Sequence, residues 1–243
     1  MDLFTLMLVF FLISLPIGIY IICKRLKWTR LQKFGGIFLW IVSVLLFCME
    51  SLLVYLHAEP MFAKPIIYLY PEDETNVTVK VSHPENFTCE YPKYNEGWNV
   101  YAKPNGELKD LGSGKNLYCL YYESEAFRAK IQNDGFVVKS ADVADFLDEK
   151  LEFLGLNYKE RNEFIIYWLP KLEQSPYTYI RFLTTDELAM RQQLSITPTP
   201  DTLIRVMMTY KRLNKPIKVE EQELDPVVRN GFVAVEWCGM EIK

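Results

Sequence analysis

Two long apolar runs near the start of the sequence limit what this chain can fold into more than any other feature. The first, residues 3–23, has 21 residues without an ionisable carboxylate or amine, and the second, residues 34–57, carries Glu50 as its one formal charge. A helix of that length extends roughly 30 Å, the thickness of a bilayer's hydrocarbon core. The runs therefore predict two transmembrane helices joined as a hairpin.

The segment between the two runs predicts how the hairpin is oriented. Short loops that are rich in Lys and Arg stay in the cytoplasm. A cleaved signal peptide is the alternative, but its positive charge precedes the apolar region, whereas the early charge here is Asp2. We therefore expect a two-pass protein of the cell membrane, with residues 24–33 cytoplasmic and with the N-terminus and residues 59–243 extracytoplasmic. The cations that determine this topology are Lys24, Arg25, Lys27, Arg30 and Lys33.

Composition limits what the outer part, residues 59–243, can bind. It contains 22 basic and 29 acidic residues, a formal net charge of −7. Nucleic acid is therefore an improbable partner, because nucleic-acid-binding surfaces are basic. With two histidines in the chain and no CxxC sequence, we predict no metal site and no cofactor. The expected partners are the lipid bilayer and an envelope protein or glycan.

Residue patterns predict an α+β fold for the outer part. Runs rich in β-branched and aromatic residues, separated by Pro, Gly and Asn, predict a mainly antiparallel sheet. Between them, apolar residues recur at spacings of three and four, which predicts a helical pair. The second of these helices begins at Asn157, where Glu160 completes a capping box, and ends before Pro170. The domains are thus a hairpin, residues 1–58, and an α+β domain, residues 59–243.

Several charged residues lie among apolar neighbours and must be paired if they are buried. We interpret them as an internal ion-pair network. The alternative is a glycan hydrolase in which Glu163 and Glu236 act as acid and base, as paired carboxylates do in glycosidases. The candidates for the network are Glu163, Arg181, Asp201, Arg205, Arg229 and Glu236.

The outer cysteines allow two interpretations. Cys89 and Cys119 lie in strand-like runs of one β-rich region, so an oxidising compartment would favour a disulfide between them. Free cysteine is also among the most buried residue types, which favours free thiols instead. Sequence does not supply the geometry that decides between the two.

Four separated motifs carry a resemblance to a known family. They read KPIIYLYPEDETNVTVKV, YPKYNEGWNVYAKPNGEL, NEFIIYWLP and RNGFVAVEWCG. In this order they resemble a family of bacterial extracytoplasmic domains with a Lys-Pro-x-Ile-Tyr-Leu-Tyr-Pro opening and a Gly-Phe-x-x-Val-Glu-Trp-Gly-Gly closing motif. The resemblance spans Lys64 to the C-terminus and implies an exported bacterial domain, without an activity. Cys238 stands in place of the first closing glycine.

Together these observations favour a membrane protein that displays a non-catalytic binding or structural domain at the cell envelope. The first alternative is the envelope glycan hydrolase with its carboxylate pair. The second is a subunit of a membrane complex that acts through its hairpin. In that case Glu50 and the small residues Gly35 and Gly36 would contact other spans.

Overall fold

The computed structural model describes residues 18, 20, 24, 29–57, 61–125, 129–183 and 185–242. The chain divides into two compact units, Met1–Ala58 and Glu59–Lys243. In the first unit, helix α1 (Arg30–His57) is continuous over 28 residues. Within its described residues, the second unit contains three further helices and thirteen strands.

The expected hairpin of two membrane spans is wrong. The first predicted span, residues 3–23, lies outside the described residues except for Gly18 and Tyr20. The second run does not begin a helix of its own, because α1 starts inside the predicted loop 24–33 and so includes Arg30, Lys33 and Glu50. Among the described residues, no helix combines the length and the apolar character that crossing a membrane requires. The two-pass topology and the predicted localisation, which were built on the hairpin, are overturned with it.

The second unit is a mixed α/β fold with two sheets. Its helices are α2 (Val143–Phe153), α3 (Tyr158–Leu172) and the short α4 (Thr185–Ala189), with 3-10 turns at Pro84–Asn86 and Ser140–Asp142. The strands are β1 (Met61–Tyr70), β2 (Thr75–Val81), β3 (Phe87–Tyr91), β4 (Trp98–Ala102), β5 (Leu108–Asp110), β6 (Asn116–Leu117), β7 (Leu120–Glu125), β8 (Asp134–Lys139), β9 (Tyr177–Leu183), β10 (Leu194–Thr197), β11 (Thr202–Leu213), β12 (Glu220–Glu221) and β13 (Val233–Glu241).

Strand order places the latest strand of the chain in the middle of the large sheet. Its order is β12-β8-β9-β11-β13-β1-β7-β3, and the small sheet has the order β10-β2-β4-β5-β6. Pairing is antiparallel except between β11 and β13 and between β12 and β8, which are parallel. The predicted antiparallel character therefore holds for most of the ladder but not at its centre.

The large sheet has a different cover on each face. On one face, α2 and α3 pack through residues such as Leu147, Phe164 and Trp168 against Val235 and Trp237 of β13. On the other face, the small sheet packs against part of the large one. Because side chains alternate along a strand, neighbouring residues of β13 lie in different layers. This alternation decides which of the predicted charges can meet.

The capping box at Asn157 is confirmed. The Asn157 side chain accepts hydrogen bonds from the backbone N–H groups of Lys159 and Glu160, and the Glu160 carboxylate accepts one from the Asn157 backbone. The predicted helix end at Pro170 is wrong, since α3 continues to Leu172 with Pro170 inside it. A proline costs a helix one backbone hydrogen bond. Packing of Trp168 and Leu172 in the core accompanies that loss.

Candidate functional site

Arg205 and Glu236 form the buried ion pair that the sequence predicts. They are direct partners on the parallel strands β11 and β13. Arg205 Nε donates to Glu236 Oε2 over 2.6 Å, and the residues are 4% and 2% exposed. The other Glu236 oxygen accepts from the Tyr122 hydroxyl over 2.7 Å, and Arg205 Nη1 donates to the Gln192 carbonyl over 2.7 Å.

The electrostatics of Arg205, Glu236 and Tyr122 indicate a structural role. Burial disfavours the charged form of Arg205, but the adjacent Glu236 carboxylate holds the pKa of Arg205 above its ordinary value. Burial, followed by the Glu236 charge, raises the pKa of Tyr122 well above its ordinary range. Each carboxylate oxygen of Glu236 already accepts a hydrogen bond from a buried partner, so the carboxylate is held inside the fold by Arg205 and Tyr122.

Glu163 lies on the other side of the sheet from Glu236. The Tyr68 hydroxyl donates to Glu163 Oε2 over 3.0 Å, and Tyr68 belongs to the core layer between the sheet and the helices. Tyr122, the partner of Glu236, belongs to the layer between the two sheets. Acid and base of a glycosidase must flank one bond. Their separation by the sheet argues against the hydrolase alternative.

The remaining predicted charges form separate pairs rather than one network. Arg181 lies between Asp134 and Glu187, each at 3.0 Å. Arg229 Nη1 donates to Glu160 over 2.8 Å, and Asp201 accepts from the Phe232 backbone N–H over 2.8 Å. Glu160 is 0% exposed. Sequence reasoning identified Glu160 only as a capping residue, and nothing in the local pattern indicates its distant partner Arg229.

The disulfide between Cys89 and Cys119 is not formed, and both residues are free thiols. Cys89 pairs with Glu123 across the β3–β7 ladder. Cys119 lies four residues before Glu123, which is about 13 Å at the usual rise per strand residue. A disulfide needs Cα atoms about 4.4 to 6.8 Å apart, so the register prevents the bond.

Cys119 instead belongs to a cluster of proton-holding groups around Glu163. Burial, followed by the Glu163 charge, raises the pKa of Cys119 to about 12. Burial, followed by the charge of Cys119, raises the pKa of Tyr118 to about 12 as well. Burial, followed by the charge of Glu163, raises the pKa of Tyr68 even further. These groups are neutral near pH 7. They are donors for hydrogen bonds and are poorly suited to act as bases.

Lys64 lies beside this cluster in an unusual backbone conformation. Its φ is +55°, and the register of β1 shifts between Ala63 and Ile66 against β13 and between Phe62 and Ile66 against β7. A left-handed conformation is costly for a residue that is not glycine, and such residues concentrate at functional sites. The bulge positions Lys64 Nζ 5.0 Å from the ring centre of Tyr167 and 5.3 Å from that of Trp237.

Three of the four sequence motifs meet at this place. The opening motif contributes Lys64 and Tyr68, the α3 motif contributes Glu163 and Tyr167, and the closing motif contributes Trp237. The remaining glycine of the closing motif has a packing role. A Cβ on Gly239 would lie 2.6 Å from the Trp168 ring. The substitution at Cys238 leaves this close approach intact.

A groove of about 890 Å³ follows the outer edge of β8. Its walls are α2 on one side, with Asp142, Phe146 and Glu149, and residues 216–219 on the other. Strand β12 pairs with β8 only at Asp134 and Gly135. Residues 136–139 of β8 therefore have no strand on this side within the described part of the chain.

The hydrogen-bond pattern identifies the outward-facing groups. Ser140 N–H bonds to the Pro176 carbonyl on the β9 side, and the Asn133 carbonyl bonds to Glu220 N–H on the β12 side. Because backbone groups alternate between the two sides of a strand, odd-numbered residues of β8 face the groove. The N–H and C=O groups of Val137 and the N–H group of Lys139 thus point outward and have no backbone partner among the described residues, whereas the Lys139 C=O begins the 3-10 turn Ser140–Asp142.

The described residues contain no group of three or more His, Cys, Asp and Glu side chains that could hold a metal ion. Comparison of the chain with known protein families, curated proteins and solved structures finds no match. The resemblance to an exported bacterial family therefore stays a prediction.

Proposed function

We propose that this protein is a non-catalytic binding protein and that its second unit binds an extended segment of a partner polypeptide by strand addition at the edge of β8. The observation that carries the proposal is the pair of outward-facing residues Val137 and Lys139 in the groove. An extended peptide satisfies such groups by continuing the sheet. The Val137 N–H, the Val137 C=O and the Lys139 N–H follow one another along the edge as donor, acceptor and donor, which matches the alternation of a polypeptide backbone.

The chain already uses this edge in the same way. Glu220 and Glu221 add to β8 in parallel, and the Gln222 side-chain amide bonds to both the N–H and the C=O of Phe182 on the next strand. The edge is thus completed by internal groups as far as Gly135. A partner strand would continue from that point along residues 136–139.

Charge on the two walls restricts the partner further. Asp142 and the ion pair of Glu149 with Lys150 line the α2 side, while Lys218 and Glu221 line the other side. Side chains of an added strand alternate between these two sides. The best-fitting segment carries a basic residue at a position that faces Asp142.

Lys139 allows a precise test. Its φ is −70°, which is already the angle that proline requires, and its N–H is not used in the ladder with β9. Lys139→Pro therefore removes one outward donor and keeps the strand, while Lys139→Ala removes the side chain and keeps the donor. Decapeptides selected from a displayed library on the full chain serve as probes, and calorimetry gives their dissociation constants.

We expect Lys139→Pro to weaken binding about tenfold relative to Lys139→Ala. One lost hydrogen bond reduces the binding free energy by about 1.4 kcal/mol, which is a tenfold change in the dissociation constant. N-methylation of alternate peptide amides should have the same effect. Equal affinity of the Pro and Ala variants would show that the selected peptides do not bind as a strand on β8.

A further inference from the structure

We propose that Lys64 and Lys171 form a binding site for a phosphate group at the Tyr167 ring. The site is independent of the β8 groove and lies where three sequence motifs meet. Lys64 is supplied by the bulge of β1, and Lys171 by the last turn of α3.

The two cations share one aromatic ring. Lys171 Nζ lies 3.4 Å from the centre of the Tyr167 ring and donates to the Tyr167 carbonyl over 3.0 Å, while Lys64 Nζ lies 5.0 Å from the same ring centre. The ammonium groups are therefore within about 8 Å of each other, no more than a Debye length at physiological ionic strength. Their repulsion is not screened away, and it contributes, after burial, to lowering the pKa of Lys171.

No carboxylate neutralises these two charges within the described residues. Neither lysine takes part in an ion pair there. Nearby carboxylates act on neighbouring groups: after burial, the charge of Glu163 raises the pKa of Cys119, and that of Glu123 raises the pKa of Tyr167. Glu163 is instead bonded to Tyr68.

A second observation also points to an absent acceptor. The buried indole N–H group of Trp168 makes no hydrogen bond within the described residues, although buried polar groups are normally paired, while the indole N–H of Trp237 lies near the Tyr68 hydroxyl. Lys171 lies 5.2 Å from the Trp168 ring and Lys64 lies 5.3 Å from the Trp237 ring. Both indole rings thus adjoin the two cations.

A phosphate group fits this arrangement better than a monoanion does. Two ammonium groups balance a dianion, and lysine binds phosphate as a point charge without needing a planar, two-point geometry. The strained conformation of Lys64 is explained if it positions the second charge. Tyr167 supplies the common surface on which both ammonium groups rest.

The test is calorimetric titration of the full chain with inorganic phosphate and with phenyl phosphate, at constant ionic strength in a phosphate-free buffer. We expect saturable binding that Lys64→Gln and Lys171→Gln each weaken at least tenfold. Lys150→Gln removes a lysine that is already paired with Glu149 and should leave binding unchanged. Lys64→Gln should also raise the pKa of Lys171, measured from its ε-carbon NMR shift.

Tighter binding of phenyl phosphate would identify an organic monoester as the ligand, and equal binding would identify the free anion. Either result supports the site. Titration without saturation, or equal weakening by Lys64→Gln and Lys150→Gln, would overturn it. Should Lys64→Gln fail to fold, Lys171→Gln alone makes the comparison, because its side chain leaves from a helix of normal geometry.

Discussion

At the scale of single residues, this protein holds ionisable groups inside its core and gives each a defined partner. Glu236 has one partner on each oxygen, and Arg205 divides its donors between Glu236 and a backbone carbonyl. Such a group stabilises the fold only while it is complete. Removing one member leaves another member buried without compensation.

We therefore expect Glu236→Gln and Arg205→Met each to lower the free energy of unfolding by about 3 to 5 kcal/mol. Urea denaturation of the full chain measures this change. The control is Arg212→Met, because Arg212 pairs with Glu241 on the surface, where such pairs contribute about 1 kcal/mol or less. A Glu236→Gln variant as stable as the parent would show that the charge is not structural.

Cys119 provides a prediction about pH. Its pKa is raised to about 12 by burial and then by Glu163, so the reactive thiolate is scarce near neutral pH. We expect iodoacetamide to alkylate Cys119 slowly, at a rate that rises with pH up to about 12. Glu163→Gln removes the negative charge, lowers the pKa and should accelerate the reaction. Mass spectrometry measures it, with the exposed Cys89 as internal reference. An unchanged rate would remove Glu163 from the explanation.

At the scale of elements, the close packing of α3 against the sheet depends on a residue without a side chain. Trp168 of α3 packs directly over Gly239 of β13, and Phe164 contacts Trp237 with a ring-centre distance of 5.2 Å. A helix approaches a sheet this closely only where the strand lacks a Cβ. The same helix carries Glu163, Tyr167 and Lys171, so its height above the sheet sets their positions.

Gly239→Ala should accordingly destabilise the protein by about 1 to 3 kcal/mol through overpacking. The added Cβ would lie 2.6 Å from the Trp168 ring and 3.0 Å from the Met208 carbonyl oxygen. Gly112→Ala is the matched control, since its Cβ would meet its nearest neighbour at 3.6 Å. Thermal melts of both variants make the comparison. Similar melting temperatures would mean that α3 shifts without cost.

At the scale of the whole molecule, the sequence indicates the elements better than their arrangement. Periodicity and capping residues predict α2, the start of α3 and most strands, because these signals are local. The parallel pairing of β11 with β13 and the pairing of Glu160 with Arg229 join residues far apart in the chain, and no local signal encodes them. The left-handed Lys64 is equally invisible, because the opening motif does not reveal its backbone angle.

The hairpin failed as a prediction for a related reason. Hydropathy identifies a run of residues by its lack of charge, whereas a helix begins where its backbone hydrogen bonds begin. Helix α1 starts at Arg30, so its first turns come from the segment that was assigned to a loop. The sequence does not place Glu163 and Glu236 relative to each other, because strand alternation and helix position, which decide the face of each residue, are properties of the assembled sheet.

The central position of β13 also governs how this molecule comes into being. Without residues 233–241, the large sheet consists of two separate pieces, β12-β8-β9-β11 and β1-β7-β3, because β13 alone joins them. The early strand β1 leaves the ribosome with the backbone groups of one edge unpaired. Its partner β13 is synthesised only after more than half of the chain has followed. Contacts of such long sequence separation slow folding. The sheet can therefore close only as a late event, after translation has passed its innermost strand.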